Sequence, residues 1–152
     1  MKKRSIATGK IQNKRAKLDY ELSDEIIAGI SLTGREVKSL RQGHAFLRGS
    51  FVTIKGNQLL LTNATITSGK TFVIPEVEQT RSRVLLVSKK QFTQLVMAKQ
   101  QGKTIVPIEF LTKCRFIKIK IAVGKGKKRY DKRQSIKARD QRIELSRSMV
   151  TR

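Results

Sequence analysis

The sequence predicts a mainly β protein: a small antiparallel barrel with two or three packed helices, followed by a basic tail that is disordered when free. Three observations predict it. Apolar runs of strand length, split by turn residues, fill the middle of the chain. Two capping boxes mark where helices begin. The regular apolar pattern stops near residue 123. Short strands in such number close on themselves to hide their edges, although pattern alone fits a closed barrel and an open sheet equally.

The elements follow in order. Residues 18–32 are the least regular, but Ile26-Ile27-Ala28-Gly29-Ile30 suits a strand that bends at Gly29. Thr33-Gly34-Arg35-Glu36 has capping-box spacing, in which each end satisfies an orphan backbone donor of the other. Val37 and Leu40 then share a helix face, and Gly43 is the stop. Leu47 to Lys55 and Gln58 to Thr62 are strand runs split by Lys55-Gly56-Asn57, a hairpin signal. Ser88-Lys89-Lys90-Gln91 is a second capping box; Phe92, Leu95 and Val96 form its helix's apolar stripe, and Gly102 ends it. Thr104 to Leu111 is a strand whose Pro107 cannot donate to a ladder, which puts it at an edge or on a bulge. Phe116 to Ile121 alternates and sets Lys118 and Lys120 on one face.

This divides the chain into a basic N-terminal arm over 1–17, a barrel domain over 18–123 and a basic tail over 124–152. The tail sets eleven Lys and Arg against Asp131, Asp140 and Glu144, a net of +8. Gly124-Lys125-Gly126-Lys127-Lys128 reads as a flexible basic hinge, because two glycines loosen it and like charges repel. From Asp131 onward there is no Gly or Pro, so a helix is permitted. Ile136, Ile143 and Val150 recur every seven residues, a stripe too narrow to hold a helix on the protein's own core. The tail is therefore expected to become helical only against a phosphate-lined surface.

Charge limits the function classes. Over 152 residues, 34 Lys and Arg face 11 Asp and Glu, a formal net charge of +23. That exceeds the roughly 2–8 a small domain uses for solubility, and it points to a polyanionic partner, nucleic acid first. No apolar run approaches the roughly 20 residues of a membrane span. The basic start is followed by more lysines rather than an apolar segment, so no secretion signal is expected and the cytoplasm fits. One cysteine, Cys114, excludes an intrachain disulfide and a cysteine-based zinc site; it reads as a small buried hydrophobe. No enzyme site, metal site or cofactor site emerges. His44 is the only histidine and reads as a surface residue, carboxylates show no ligand spacing, and Gly124–Lys128 lacks phosphate-loop spacing. With six Phe, two Tyr and no Trp, an open base-stacking platform is disfavoured against recognition of a folded RNA through backbone and shape.

Four stretches resemble the small protein B (SmpB) family. They are Asn13-Lys14-Arg15-Ala16 with Tyr20; Gly29 to Arg41 (Gly-Ile-Ser-Leu-Thr-Gly-Arg-Glu-Val-Lys-Ser-Leu-Arg) followed by Gly43; Arg81-Ser82-Arg83 leading into Leu85-Leu86; and Gly124 to Arg133 continuing through Ile136-Lys137 and Arg139-Asp140. They keep the family's order across almost the whole chain.

The resemblance implies an OB-like barrel with appended helices and no chemistry of its own. It implies binding to the tRNA-like part of transfer-messenger RNA, the barrel standing in for the missing anticodon arm. The tail would enter the decoding centre of the small ribosomal subunit, against its rRNA, and the empty message channel beyond. This is rescue of ribosomes stalled on truncated mRNA, or trans-translation. Elongation factor Tu and alanyl-tRNA synthetase would act indirectly through the RNA, and the protein would be a monomer. By the same resemblance Glu36 lies at the RNA surface, with Asn13, Lys14, Tyr20, Lys38 and Arg41 as neighbours. Lys127, Lys128, Tyr130, Asp131, Lys132, Arg133, Lys137 and Arg139 belong to the tail's decoding-centre set, and Ile136 and Met149 match positions packed in the channel. The chain departs from the family pattern at Thr65, Gln79, Val84, Ser88 and Tyr130. Tyr130 keeps a flat ring where the family often has His, but cannot titrate near neutral pH. Two rivals stand beside this reading: a general ribosomal or initiation-type OB protein, and an RNA-processing enzyme using Glu36 or Asp131.

Overall fold

The computed structural model describes residues 11–127 and 129–150, without the side chains of 129–131 and 150. Among them the elements run α1 (Ala16–Asp19), β1 (Tyr20–Ile30), α2 (Gly34–Arg41), β2 (Ala45–Phe46), β3 (Phe51–Lys55), β4 (Gln58–Thr62), β5 (Thr65–Ile66), α3 (Glu76–Gln79), β6 (Arg83–Leu86), α4 (Lys89–Gln100), β7 (Thr104–Leu111), β8 (Lys118–Gly126) and α5 (Arg129–Val150). Six strands close an antiparallel barrel in the order β1-β6-β4-β3-β7-β8, and β2 pairs with β5 as a separate ribbon. Closure settles the choice that pattern alone left open, and the mainly β fold with packed helices is the one the sequence predicts.

β1 makes closure possible. Its first part pairs with β8 from Tyr20↔Gly126 to Gly29↔Lys118, and its end pairs with β6 at Gly29↔Leu86 and Ile30↔Leu85. Gly29 therefore sits between two partners, and a Cβ there would lie 3.3 Å from Leu86 Cβ. The bend expected at Gly29 is the strand's change of partner.

Alternation fills the barrel. Ala28, Val52, Leu59, Leu61, Leu85, Ile105, Ile119 and Ile121 point inward and are buried. The register of β7 shifts between Pro107 and Glu109, the bulge that Pro107 predicts. Val106 faces outward by alternation with Ile105, Ile108 is the extra residue of the bulge, and the two join Ala16 and Ala122 in a small second cluster beside Tyr20 and Leu22. That cluster seats α1 on the outside of the barrel.

Both capping boxes form, Thr33 with Glu36 and Ser88 with Gln91. Leu40 and Leu95 are the fully buried anchors of α2 and α4. Gly43 and Gly102 follow the helices with φ of 82° and 80°, the left-handed conformation that favours glycine.

Four features differ from the sequence reading. Residues from Ile11 on are not a free arm: Ile11 is buried, the Phe110 N–H donates to the Ile11 carbonyl at 3.0 Å, and Gln12 bridges Glu109. The first ten residues of the expected arm lie outside the described residues. Gly124, Lys125 and Gly126 are not a hinge but the last rungs of β8, opposite Leu22, Glu21 and Tyr20; glycine there admits Tyr20, since a Cβ on Gly124 would meet Tyr20 Cβ at 2.9 Å. The tail helix, permitted by the sequence from Asp131 and expected only against a phosphate-lined surface, runs from 129 to 150, and its start is held to α1 by Lys132, a partner that the apolar stripe did not reveal. Cys114 is exposed rather than buried, because it sits in the turn between β7 and β8, where alternation no longer assigns an inside.

Candidate nucleic-acid interface

The residues named from sequence fall into three groups. The first lies around α1. Asn13 is buried: its N–H donates to the Ile108 carbonyl at 2.7 Å and its side-chain amide to the Pro107 carbonyl at 3.1 Å. Both carbonyls lie at the β7 bulge, so Asn13 uses acceptors that the bulge leaves free of the ladder. Its role is to fasten the segment and set out Lys14 and Arg15, both exposed. Tyr20 is half-buried against the second cluster. Lys14, Arg15, Arg48 and Arg139 share the lining of one open cleft with Gln12, Asn13 and Leu18. Four cations around a cleft form a field suited to phosphate.

The second group lies on α2. Sequence puts Glu36 at an RNA surface; in the structure it is 1% exposed, closed off from solvent. Its carboxylate accepts from Arg81 Nε on Oε1 and Arg81 Nη2 on Oε2, both at 2.8 Å, from Arg83 Nε at 3.1 Å, and from the Thr33 N–H at 3.1 Å. Burial works to raise its pKa, but the hydrogen bonds from Arg81, Thr33 and Arg83 and the Arg83 charge outweigh burial and hold it below 4.5. Arg83 is fully buried, and all five of its N–H groups are used: Nε on Glu36, Nη1 on the carbonyls of Ala64 and Arg81, Nη2 on those of Glu78 and Gln79. Burial lowers the Arg83 pKa and Glu36 opposes that. Arg81, at the rim, has its pKa raised by Glu36. Glu36 is thus the post that ties α2 to the segment carrying Arg81 and Arg83, and it acts on any ligand only through them.

Lys38 and Arg41 point elsewhere. Lys38 is exposed with its ammonium 5.3 Å from the Phe72 ring centroid. Arg41 donates from Nη1 to the Thr112 carbonyl at 3.3 Å and from Nη2 to the Arg115 carbonyl at 2.9 Å, which pins the turn between β7 and β8.

The third group is the tail. The Lys127 N–H donates to the Asp19 carbonyl at 2.9 Å, and Lys127 Nζ reaches the Lys17 carbonyl at 3.0 Å and Ser135 Oγ at 3.1 Å. Lys132 Nζ stands 3.6 Å from Asp19 Oδ1. These contacts moor the start of α5 to α1. Beyond them Arg133, Ile136, Lys137, Arg139 and Met149 are exposed, Met149 at 78%. The expectations on Lys128 and on the side chains of Tyr130 and Asp131 lie outside the described residues.

Sequence missed the buried role of Arg83. The signal was there: Leu85 is an inward position, and Arg83 is two residues before it on the same strand face. Among the departures, Thr65 pairs with Phe46, Val84 with Leu60, and Ser88 caps α4. No helix among the described residues is long and apolar enough to cross a membrane.

Comparison with known proteins agrees in one direction. The family model described as SmpB protein matches residues 10–151. The chain is 43% identical over 150 residues to the SsrA-binding protein of Leuconostoc mesenteroides subsp. mesenteroides, covering 96% of each. It is 44% identical over 137 residues to that of Lactobacillus delbrueckii subsp. bulgaricus, covering 90% of each. Among solved structures it is similar, with a TM-score of 0.65 and 32% identity, to a chain described under "tmRNA-SmpB: a journey to the center of the bacterial ribosome", over 84% of this chain and 94% of that one.

Proposed function

The chain belongs to the SmpB family, and on that premise we propose that it is an RNA-binding adaptor of trans-translation. It binds the tRNA-like domain of transfer-messenger RNA and sets it in the empty A site of ribosomes stalled on truncated message. The observation that carries this reading is the match of relatives named SsrA-binding proteins over 96% of the chain, body and tail together. A general ribosomal or initiation-type protein has no such support.

The mechanism is positional. The barrel and α1, with Lys14, Arg15, Tyr20, Lys38 and Arg48, offer a rigid cationic surface to the folded RNA. Helix α5 carries Lys132, Arg133, Ile136, Lys137, Arg139 and Met149 into the decoding centre and vacant message channel, and Lys127, Lys128, Tyr130 and Asp131 belong to the same decoding-centre set. Intact message downstream would exclude it sterically. No step needs a nucleophile or a metal, so the adaptor performs no chemistry. Elongation factor Tu and alanyl-tRNA synthetase act on the same RNA, in the cytoplasm, and the protein works as a monomer. The three-part division at residues 17 and 123 is kept as a functional one, although residues 11–17 and 124–126 fold with the barrel.

Deletion of 131–152 tests this division. Binding to transfer-messenger RNA should persist while tagging on stalled ribosomes is lost; equal loss of both defeats it. Affinity should fall with salt at a log–log slope of roughly −0.7 to −0.9 per phosphate neutralised.

A further inference from the structure

The turn between β7 and β8 presents a feature that neither the sequence pattern nor the α1 and α2 groups absorb. Its residues run Thr112-Lys113-Cys114-Arg115-Phe116-Ile117. Phe116 is 71% exposed, while its neighbour Ile117 is buried. An exposed phenylalanine at a hairpin tip gives up apolar burial. This one is surrounded by cations: Lys113, Arg115 and Lys118 are all exposed, and the stretch from 110 to 120 holds no carboxylate after Thr112. The Arg115 guanidinium lies 5.6 Å from the Phe116 ring centroid. The turn is also held from below. Arg41 reaches out of α2 and clamps the carbonyls of Thr112 and Arg115, and Ile117 is anchored in the core. The ring is therefore displayed by a fastened support, not by a loose tip.

We propose that Phe116 is a stacking platform for one unpaired RNA base, with Lys113 and Arg115 taking the phosphates beside it. The proposal rests on the RNA-adaptor reading and adds to it a contact on a face that the residues named from sequence do not include. The charge around the ring selects the occupant. An apolar protein partner would have to bury three cations without counter-charges, whereas a nucleotide brings a π-face and its phosphates together. One base on one ring is consistent with a chain poor in aromatics, since recognition of the folded RNA is left to the cationic surfaces and the ring adds a fixed point. The base belongs either to transfer-messenger RNA or to the small-subunit rRNA, and the test separates the two.

The full chain has no tryptophan, so Phe116→Trp creates a single fluorescent reporter at the proposed contact. The variant is titrated with transfer-messenger RNA in one arm and with purified small ribosomal subunits in the other. Stacking quenches the indole, so quenching in one arm names the source. Phe116→Ala should weaken binding in that same arm by about 5- to 150-fold, the span of base–aromatic stacking. Its melting temperature should not change, because the ring is exposed. Its salt slope should also stay that of the parent, whereas Lys113→Ala and Arg115→Ala should each reduce the slope by about one phosphate. If the parent binds both RNAs, the Trp variant is quenched by neither and Phe116→Ala binds like the parent, the platform is refuted and the adaptor reading stands. If the parent binds neither RNA, the adaptor reading fails and the platform falls with it.

Discussion

Replacing Glu36 with alanine separates a buried structural carboxylate from a surface RNA contact. The substitution removes the acceptor of four hydrogen bonds, two from Arg81, one from Arg83 and one from the Thr33 N–H. Arg81 can turn to water. Arg83 cannot: its side chain is 0% exposed, and its other four N–H groups already hold carbonyls. Its charge would stay in the protein without a counter-ion. Removing one partner of such a pair costs about 3–5 kcal/mol, and loss of half the capping box acts in the same direction. Against a typical domain stability of about 5–15 kcal/mol this is a large fraction. For a domain of this size about 1 kcal/mol moves the melting temperature by about 2–4 °C, so a fall of about 6–20 °C is expected in calorimetry, with a matching drop in the urea midpoint. Adding Arg83→Met removes the stranded charge. The double variant should therefore be more stable than the sum of the single effects predicts, by about 1–3 kcal/mol. An Ala variant that melts within about 2 °C of the parent while losing RNA affinity would refute the reasoning and return Glu36 to the surface role.

Three further outcomes follow from the same geometry. Glu36 titrates below 4.5 when folded, so its contribution is complete above the unfolded value and is lost as pH falls through the folded one; urea midpoints recorded downward from pH 6 should drop below about 4.5, and Glu36→Gln should flatten that part of the profile. Gly124→Ala should cost about 1–3 kcal/mol by overpacking, since its Cβ meets Tyr20 Cβ at 2.9 Å and Val106 Cγ2 at 3.1 Å; the urea midpoint checks it, and an unchanged midpoint would mean that β8 can withdraw from β1. Arg41→Met should leave the barrel folded but release the turn after β7, read as faster amide exchange over 112–117 with the central strands unchanged; no change in exchange would show that the two carbonyl contacts do not hold the turn.

The barrel was legible because its signals are local. Alternation in β7 and β8, the Gly56-Asn57 turn and two capping boxes each depend on residues within one or two turns of chain. What escaped depends on residues far apart in sequence. Gly124 and Gly126 look like a hinge to any rule that reads neighbours, but both are rungs of β8, and Tyr20, far away in sequence, needs a place without a side chain at Gly124. The start of α5 shows too narrow an apolar stripe to pack, and it packs by other means: Lys127 and Lys132 find the Lys17 carbonyl and the Asp19 carboxylate at the end of α1. A half-exposed pair such as Lys132–Asp19 is worth under about 1 kcal/mol. The mooring is therefore weak enough to be exchanged for phosphate, as the proposed entry of the tail into a second RNA surface requires.

The candidate site was legible as a set of positions but not as a set of roles. Resemblance picked out Asn13, Glu36 and Arg41, and each makes contacts within the protein: buried Asn13 holds the β7 bulge, buried Glu36 holds Arg81 and Arg83, and half-buried Arg41 holds the turn that carries Phe116. Spacing cannot tell a residue that touches a ligand from one that fixes its neighbour, because both are sensitive to substitution. Burial can. A carboxylate as enclosed as Glu36 has nothing left for RNA, so its effect must pass through Arg81 at the rim; buried Asn13 acts in the same way through exposed Lys14, and half-buried Arg41 supports Arg115 and Phe116. On the proposed function, the surface offered to RNA is carried by neighbours of these buried residues, and substitutions at Lys14 and Phe116 should lower affinity without lowering the melting temperature, while those at Asn13, Glu36 and Arg81, which gives the buried carboxylate two of its hydrogen bonds, should lower both.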